Sequence, residues 1–310
     1  MFLSKYKIYW AGYHPEKSVQ AQSILFIKNQ LENIYGSELD FKFVSDIGDL
    51  KYNALDLLSL VENGDIDCCY FYSSYLTDRA EELNLFEIPF QISSRKHIYK
   101  ILDSEIGQYL AEKIEKNSGY KVLGWWDNGI RHVSSNKIHI KSLEDCKKST
   151  IRIAKNEMHK LVFENLGFKT KFVDVKQLKS AIINYEVDTQ ENPLTNIINY
   201  GIENYHPYIT TTSHLFGTSI LLSNKKKYDA WSDTFKLNLS NAIKKATKFQ
   251  RKLAFDEDAR CLEYLKKKGT KIQDMDKELR NKMKKISLES SLKKLEEIPK
   301  DIQEKFFSAE

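Results

Sequence analysis

Two arginines stand where apolar side chains are expected. Arg152 lies in STIRIAKN between Ile151 and Ile153, and Arg131 lies in WWDNGIRHVSSN. A guanidinium that enters a core must meet an anion or several acceptors, because an unpaired buried charge is strongly disfavoured. For Arg152 the chain offers Asp174 as an internal carboxylate. The other reading is a ligand oxyanion, gripped by the two-pronged geometry that arginine supplies and lysine does not. Arg131 has Asp127 and Glu191 as internal partners, or it too faces a ligand. A third polar residue, Asn192 in VDTQENPL, directly precedes Pro193. Proline suits the first turn of a helix and asparagine the position before it. The sequence therefore predicts Asn192 as the N-cap of a helix whose N-terminus can also face an anion.

Aromatic residues are the other candidates. Tyr70, Phe71 and Tyr72 end the run IDCCYFY, Tyr75 follows it, and Trp125 and Trp126 precede Arg131. Such residues either fill the core or wall a pocket, and Trp126 is assigned here to a pocket wall. Tyr72 and Tyr75 come at the strand end where open α/β sheets place their ligands, and Tyr13 and His14 stand in the same relation to the first strand.

Catalytic constellations are missing from the sequence. It contains no GxSxG elbow, phosphate-binding GxxxxGK[ST] loop, GxGxxG fingerprint or HExxH helix, so no catalytic residue is assigned and an enzyme is not expected. The cysteines Cys68, Cys69, Cys146 and Cys261 fit neither a zinc ligand set nor a CxxC redox pair. Adjacent strand residues face opposite ways, so Cys68 and Cys69 cannot jointly grip a metal. Free buried thiols are expected, with no metal and no cofactor.

The elements that must position these residues are read from periodicity. The 310 residues, 41% hydrophobic and 29% charged, suffice for one large or two medium domains. Strands are predicted over Lys7–Trp10, Leu39–Val44 and Ile66–Tyr72. Between them lie helices marked by Ile24, Ile27, Leu31 and Ile34, and by Leu55, Leu58 and Val61 with Gly64 as C-cap. The pattern then repeats. Strands are predicted at Lys121–Trp126, Thr150–Ala154 and Thr170–Val173. Helices are predicted at Ser142–Cys146, capped by Ser142 with Asp145, at Met158–Leu166, ending at Gly167, and at Gln177–Ile183. One or two long helices run from Lys225 to Lys268, with an apolar stripe of Leu237, Ala242, Ala246, Phe249 and Leu253. The fold class is α/β, with helices covering sheets in two lobes joined by strands.

The net charge of +5 comes from lysines spread over helical segments such as Lys244, Lys245 and Lys248. Solvated helix faces account for them, and nucleic-acid binding is not expected. No apolar run approaches the roughly 20 residues of a membrane span. The start MFLSKYKIYWAGYHPEK has no apolar h-region, so no signal peptide is read.

Three stretches, GYKVLGWWDNGIRHVSSNK, KSLEDCKKSTIRIAKN and NYEVDTQENPLTNI, resemble in order and spacing the extracytoplasmic solute-binding proteins of tripartite ATP-independent periplasmic (TRAP) transporters, the DctP type. The family pattern reads GxxDNGxRxxxxxxxPIKxxxDLKGxKIRV, then ALxxGxVDGQENP. A looser likeness runs from Tyr6 to about Asp276. The resemblance implies a two-lobe periplasmic-binding-protein-like fold with mixed sheets flanked by helices, hinge strands and a long bracing helix. Lobe I is expected over 1–127 plus about 213–252, and lobe II over 128–212 plus about 253–310. It also implies an organic acid bound in an interlobe cleft, its carboxylate on Arg152 with Arg131 and Asn192 as further contacts. A TRAP permease in the membrane is the implied partner, and a monomer in the periplasm of a Gram-negative bacterium is expected, its leader absent from this sequence. The alternatives are a cytoplasmic two-lobe ligand-sensing protein and an enzyme acting on a carboxylate.

The chain departs from the pattern at Thr189, where VDGQENP has glycine, and at Gln177, where an acidic residue is common. Sialic-acid-binding relatives carry an arginine and a glutamate at the positions of Tyr75 and Tyr72. Here these two residues imply a different acid, with an aromatic or apolar portion.

Overall fold

Alternating strand and helix patterns become nine strands among the described residues, which in this computed structural model are 5–92 and 94–308. In chain order they are β1 (Tyr6–Ala11), β2 (Leu39–Val44), β3 (Cys68–Tyr72), β4 (Tyr120–Ser135), β5 (Thr150–Ile153), β6 (Lys169–Phe172), β7 (Thr189–Pro193), β8 (Tyr208–Asn224) and β9 (Lys271–Asp274). The chain divides into two compact units. One comprises Met1–Tyr72, Ala111–Asp127 and Ser219–Asp256; the other comprises Ser73–Leu110, Asn128–Thr218 and Glu257–Glu310. The long strands β4 and β8 and the 35-residue helix Asp233–Lys267 each contribute residues to both units. These are the crossing strands and long helix expected.

In the first unit β1 is parallel to β2 and to β3, and β3 is antiparallel to the end of β8, from Cys68 opposite Ser223 to Tyr72 opposite Ser219. Every residue of β3 is buried, as a strand covered on both faces requires. Helix Val19–Tyr35 starts at Ser18, whose hydroxyl accepts from the Ala21 N–H, and buries Ala21, Ile24, Ile27 and Leu31. Ile34, placed in that stripe by periodicity, is exposed in the last turn. Helix Asp56–Asn63 stops at Gly64, whose left-handed backbone (φ 87°) lets its N–H reach the Leu60 and Val61 carbonyls. In the long helix the buried stripe is Phe235, Leu239, Ala242, Ala246 and Gln250. Leu237, assigned to the stripe from sequence, is 61% exposed. It lies two residues from Phe235, about 200° around the helix at about 100° per residue.

In the second unit β7 lies between β4 and β5. It is antiparallel to β4, with Arg131 opposite Pro193, His132 opposite Asn192 and Val133 opposite Glu191. It is parallel to β5, with Arg152 opposite Gln190, and β5 is parallel to β6. The start of β8 pairs with β9. Ser142 caps the short helix Leu143–Lys147 by accepting from the Asp145 N–H, as predicted. Gly167 (φ 104°) follows helix Glu157–Asn165.

The unit boundaries differ from those expected at 73–110, which the sequence reading kept with the first lobe. This segment packs with the second unit. Glu87 pairs with His159 at 2.6 Å, both buried, and the Phe86 ring meets Phe306 edge-on at 4.9 Å. Residues 213–218 also belong to the second unit. All four cysteines are free and buried. Among the described residues no helix is long and apolar enough to cross a membrane.

Candidate functional site

The register of β4, β7 and β5 brings three of the predicted residues into one unit. Arg131 on β4 is 2% exposed, and Glu191 on β7 is fully buried. The Arg131 Nε and Nη2 atoms both donate to the Glu191 carboxylate, with Nη2 to Oε1 at 2.6 Å. Nη2 also donates to the Glu191 carbonyl at 2.9 Å and to Asn192 Oδ1 at 3.3 Å. His214 Nε2 lies 3.2 Å from Glu191 Oε2, and Thr212 Oγ1 lies 2.6 Å from His214 Nδ1. These partners fix the neutral tautomer: Nε2–H donates to Glu191, and Nδ1 accepts from the threonine hydroxyl. Burial would push the Glu191 carboxyl up, but the Arg131 guanidinium and the His214 bond hold it well below the usual carboxylate range. Burial likewise lowers the His214 pKa, against the pull of Glu191. Glu191, one of the two internal partners considered for Arg131, is engaged.

Asn192 is not a helix cap. It is a residue of β7, and the following helix starts at Leu194 after Pro193, with no side-chain cap. Pro193 keeps an extended backbone (φ −61°, ψ 152°) and still pairs with Arg131, so the strand runs past the point where its proline suggests a helix. The Asn192 amide donates instead to Gln190 Oε1 at 2.6 Å. Gln190 Nε2 donates to Ser134 Oγ at 2.5 Å, and Ser134 Oγ lies 2.9 Å from His206 Nδ1. A continuous row of buried hydrogen bonds thus links Arg131, Asn192, Gln190, Ser134 and His206. Thr189, where the family pattern has glycine, begins β7 and is bonded to Asp188 (3.0 Å), so no turn is disturbed.

Gly129 of the DNG motif adopts φ 93°, and a Cβ there would lie 2.6 Å from the Pro193 ring. The glycine is required both by its backbone angle and by this close approach. It lets DNGIR and QENP lie side by side.

Arg152 on β5 is 2% exposed. Its Nε donates to the Val173 carbonyl at 2.8 Å. Among the described residues no carboxylate or other acceptor engages its Nη atoms. Asp174, the internal partner considered, accepts from the Lys176 N–H at 2.9 Å through Oδ1. The Tyr75 phenol belongs to the same group of charges. Burial raises its pKa, Arg152 opposes that rise most, and Asp174, Arg131 and Glu191 act with smaller effect.

The remaining candidates belong to the first unit. The Tyr13 and His14 rings are 4.2 Å apart, and His14 Nδ1 is 3.2 Å from the Tyr70 hydroxyl. Tyr72 ends β3 and is 4% exposed. Trp126, assigned to a pocket wall from sequence, is fully buried, and its Nε1–H donates to Thr247 Oγ1 at 3.1 Å. Sequence reasoning missed His214, Gln190 and Ser134. His214 is a lone histidine in TTTSHLF, far from Arg131 along the chain, and no local spacing links them.

Residues 10–298 match the model of the DctP family, described as bacterial extracellular solute-binding protein, family 7. A Haemophilus influenzae protein of uncharacterised function is 31% identical over 220 residues, 71% of this chain and 67% of that protein. The 2,3-diketo-L-gulonate-binding periplasmic protein YiaO of Escherichia coli is 26% identical over 226 residues, 73% of this chain and 69% of that protein. The matched stretches thus span about two thirds of these relatives. Among solved structures, a TRAP periplasmic solute-binding protein from Sulfurospirillum deleyianum with bound succinate superposes with a TM-score of 0.91 at 24% identity, covering 99% of this chain and 100% of that one.

Proposed function

The chain belongs to bacterial extracellular solute-binding protein family 7, and from that membership we propose that it binds an organic acid through Arg152 and delivers it to a TRAP-type permease in the membrane. The observation that carries this reading is the state of Arg152. Its guanidinium is buried and oriented by the Val173 carbonyl, and its two terminal nitrogens have no protein acceptor among the described residues. A buried cation held this way is matched by an incoming carboxylate, which accepts two parallel charged hydrogen bonds.

The relatives support the solute class. YiaO is named for 2,3-diketo-L-gulonate and the S. deleyianum protein holds succinate. Both solutes carry carboxylates and differ elsewhere. Charged hydrogen bonds contribute about 1.5–3 kcal/mol each, so one bidentate bridge supplies a large share of the roughly 8 kcal/mol of a micromolar complex. Tyr75 beside Arg152, and Tyr13, His14 and Tyr72 at the strand ends of the first unit, are proposed contacts to the rest of the solute. The proposed role is binding without turnover, outside the cytoplasmic membrane, as a monomer.

Titration calorimetry against a panel of organic acids tests the reading. Stoichiometric binding of an acid that is recovered unchanged supports it. Turnover of that acid would instead favour an enzyme.

A further inference from the structure

The buried row through β7 has a direction, set by what each group is able to donate. A guanidinium only donates, so the Asn192 atom 3.3 Å from Arg131 Nη2 is the amide oxygen. Asn192 Nδ2 therefore faces Gln190 and donates to its Oε1 at 2.6 Å. That turns the Gln190 nitrogen toward Ser134, where it donates to Oγ at 2.5 Å. An amide nitrogen does not accept, so the one hydroxyl hydrogen of Ser134 goes to His206 Nδ1 at 2.9 Å. Burial lowers the His206 pKa to about 4 and keeps its ring neutral at neutral pH, able to accept. Asn192, Gln190, Ser134 and His206 are all buried. Reversing either amide would set donor against donor or acceptor against acceptor away from water, which is costly.

Asn192 Nδ2 carries two hydrogens, and Gln190 takes one of them. Among the described residues no second acceptor engages this nitrogen. Arg152 lies opposite Gln190 in the pairing of β5 with β7. Paired residues share a face of a sheet, and so do residues two apart on one strand. Arg152, Gln190 and Asn192 thus project from one face, with Gln190 next to both of the others. We propose that Gln190 is a positioning residue for the acid: it locks the Asn192 amide so that the second Nδ2 hydrogen, and not the amide oxygen, is offered to an oxygen of the solute seated on Arg152. This rests on the carboxylate reading of Arg152 given above. An Asn192 released from Gln190 turns over more easily, and its oxygen then meets the acid as acceptor against acceptor.

The test uses the whole chain, with L-gulonate and succinate as probes in titration calorimetry. Gln190→Met keeps the length of the side chain and removes both of its bonds, whereas Ser134→Ala removes only the far support of Gln190. Gln190→Met should weaken binding roughly ten-fold or more, the worth of one hydrogen bond to a charged group, and Ser134→Ala by less. In an Asn192→Ala background neither change should weaken binding further, because a residue that acts through Asn192 then has nothing to position. Equal losses in both backgrounds, or wild-type affinity in Gln190→Met, would overturn the inference and leave the carboxylate reading standing. In the ligand-free protein, heteronuclear NMR should show the Asn192 side-chain amide hydrogens exchanging with solvent faster in Gln190→Met than in the wild type. Equal protection in the two would overturn the lock without reference to any solute. Failure of both acids to bind would remove the carboxylate reading, and the role given to the Asn192 hydrogen with it.

Discussion

Arg131 Nη2 lies 2.6 Å from Glu191 Oε1, with both side chains buried and His214 closing the other carboxylate oxygen. Such a pair is costly to break from one side, because the survivor is left as an uncompensated buried charge. Glu191→Ala is therefore expected to lower stability by about 3–5 kcal/mol, measured by urea denaturation. Arg131→Met combined with Glu191→Leu should recover much of that loss. Recovery no better than the single variant would mean that the pair is not what holds this part of β7 against β4.

Arg152 is different in kind, since its Nε is held by a backbone carbonyl and no acceptor among the described residues engages its Nη atoms. Arg152→Ala should weaken binding of the acid by about 2–5 kcal/mol and change the melting temperature of the ligand-free protein little. Arg152→Lys should bind nearly as poorly, because an ammonium cannot reproduce the fork. Affinity unchanged in Arg152→Ala would remove this residue from the site.

The buried histidines give acid sensitivity with a definite sign. Burial, then the neighbouring His214, lowers the His132 pKa from 6.5 to about 3, and burial lowers that of His206 to about 4. His132 also accepts the Ser213 N–H at 3.1 Å, which requires the neutral ring. Below about pH 6.5 the unfolded chain takes up protons that the folded chain refuses, so stability rises with pH through this window and falls as pH drops from 6.5 toward 4. With both groups the slope reaches at most about 2.7 kcal/mol per pH unit, at about 1.36 for each proton. His132→Gln should reduce the slope by up to half, and chemical denaturation at pH 4.5, 5.5 and 7 measures it.

Gly129 couples two motifs through a single missing methyl. Gly129→Ala would place a Cβ against the Pro193 ring at a φ that alanine seldom adopts. A loss of about 1–3 kcal/mol is expected, together with weaker acid binding because β4 and β7 no longer sit in register beside Asn192. Wild-type stability in this variant would show that the strands can separate there without consequence.

Arg280 braces the strand that carries His214. Its Nη1 and Nη2 donate to the Thr212 and Ser213 carbonyls, its guanidinium sits 5.1 Å from the Phe90 ring centroid, and Ser213 has φ 42°. Arg280→Met keeps the stem and removes the donors, and should cost about 1.5–3 kcal/mol. Faster amide hydrogen exchange at residues 212–214 in this variant would locate the loss; unaltered exchange there would argue against the brace.

Much of the fold was legible because its signals are local. Ser142 and Asp145, Gly64 and Gly167 mark helix ends by side-chain reach and backbone angle within a few residues. Strand β3 was legible as a continuous apolar run. The continuation of β4 past Trp126 was not, since DNGIRHVSSN carries polar groups whose partners, Glu191, Gln190 and His206, lie some 60 to 70 residues away. Asn192 was misread because a proline that starts a helix and one that ends a strand look alike until the pairing with Arg131 is known. Arg152 was readable because a lone guanidinium between isoleucines demands a partner, whereas its bond to Val173 is set by the register of β5 and β6.

That bond to Val173 has a thermodynamic consequence. An arginine on the surface carries wide rotamer freedom into each binding event, and immobilising such a side chain costs about 0.5–1.5 kcal/mol. With Nε fastened to the backbone carbonyl of Val173, just after β6, the Arg152 side chain gives up that freedom once, when the chain folds, and the proposed capture of a solute then proceeds without the penalty.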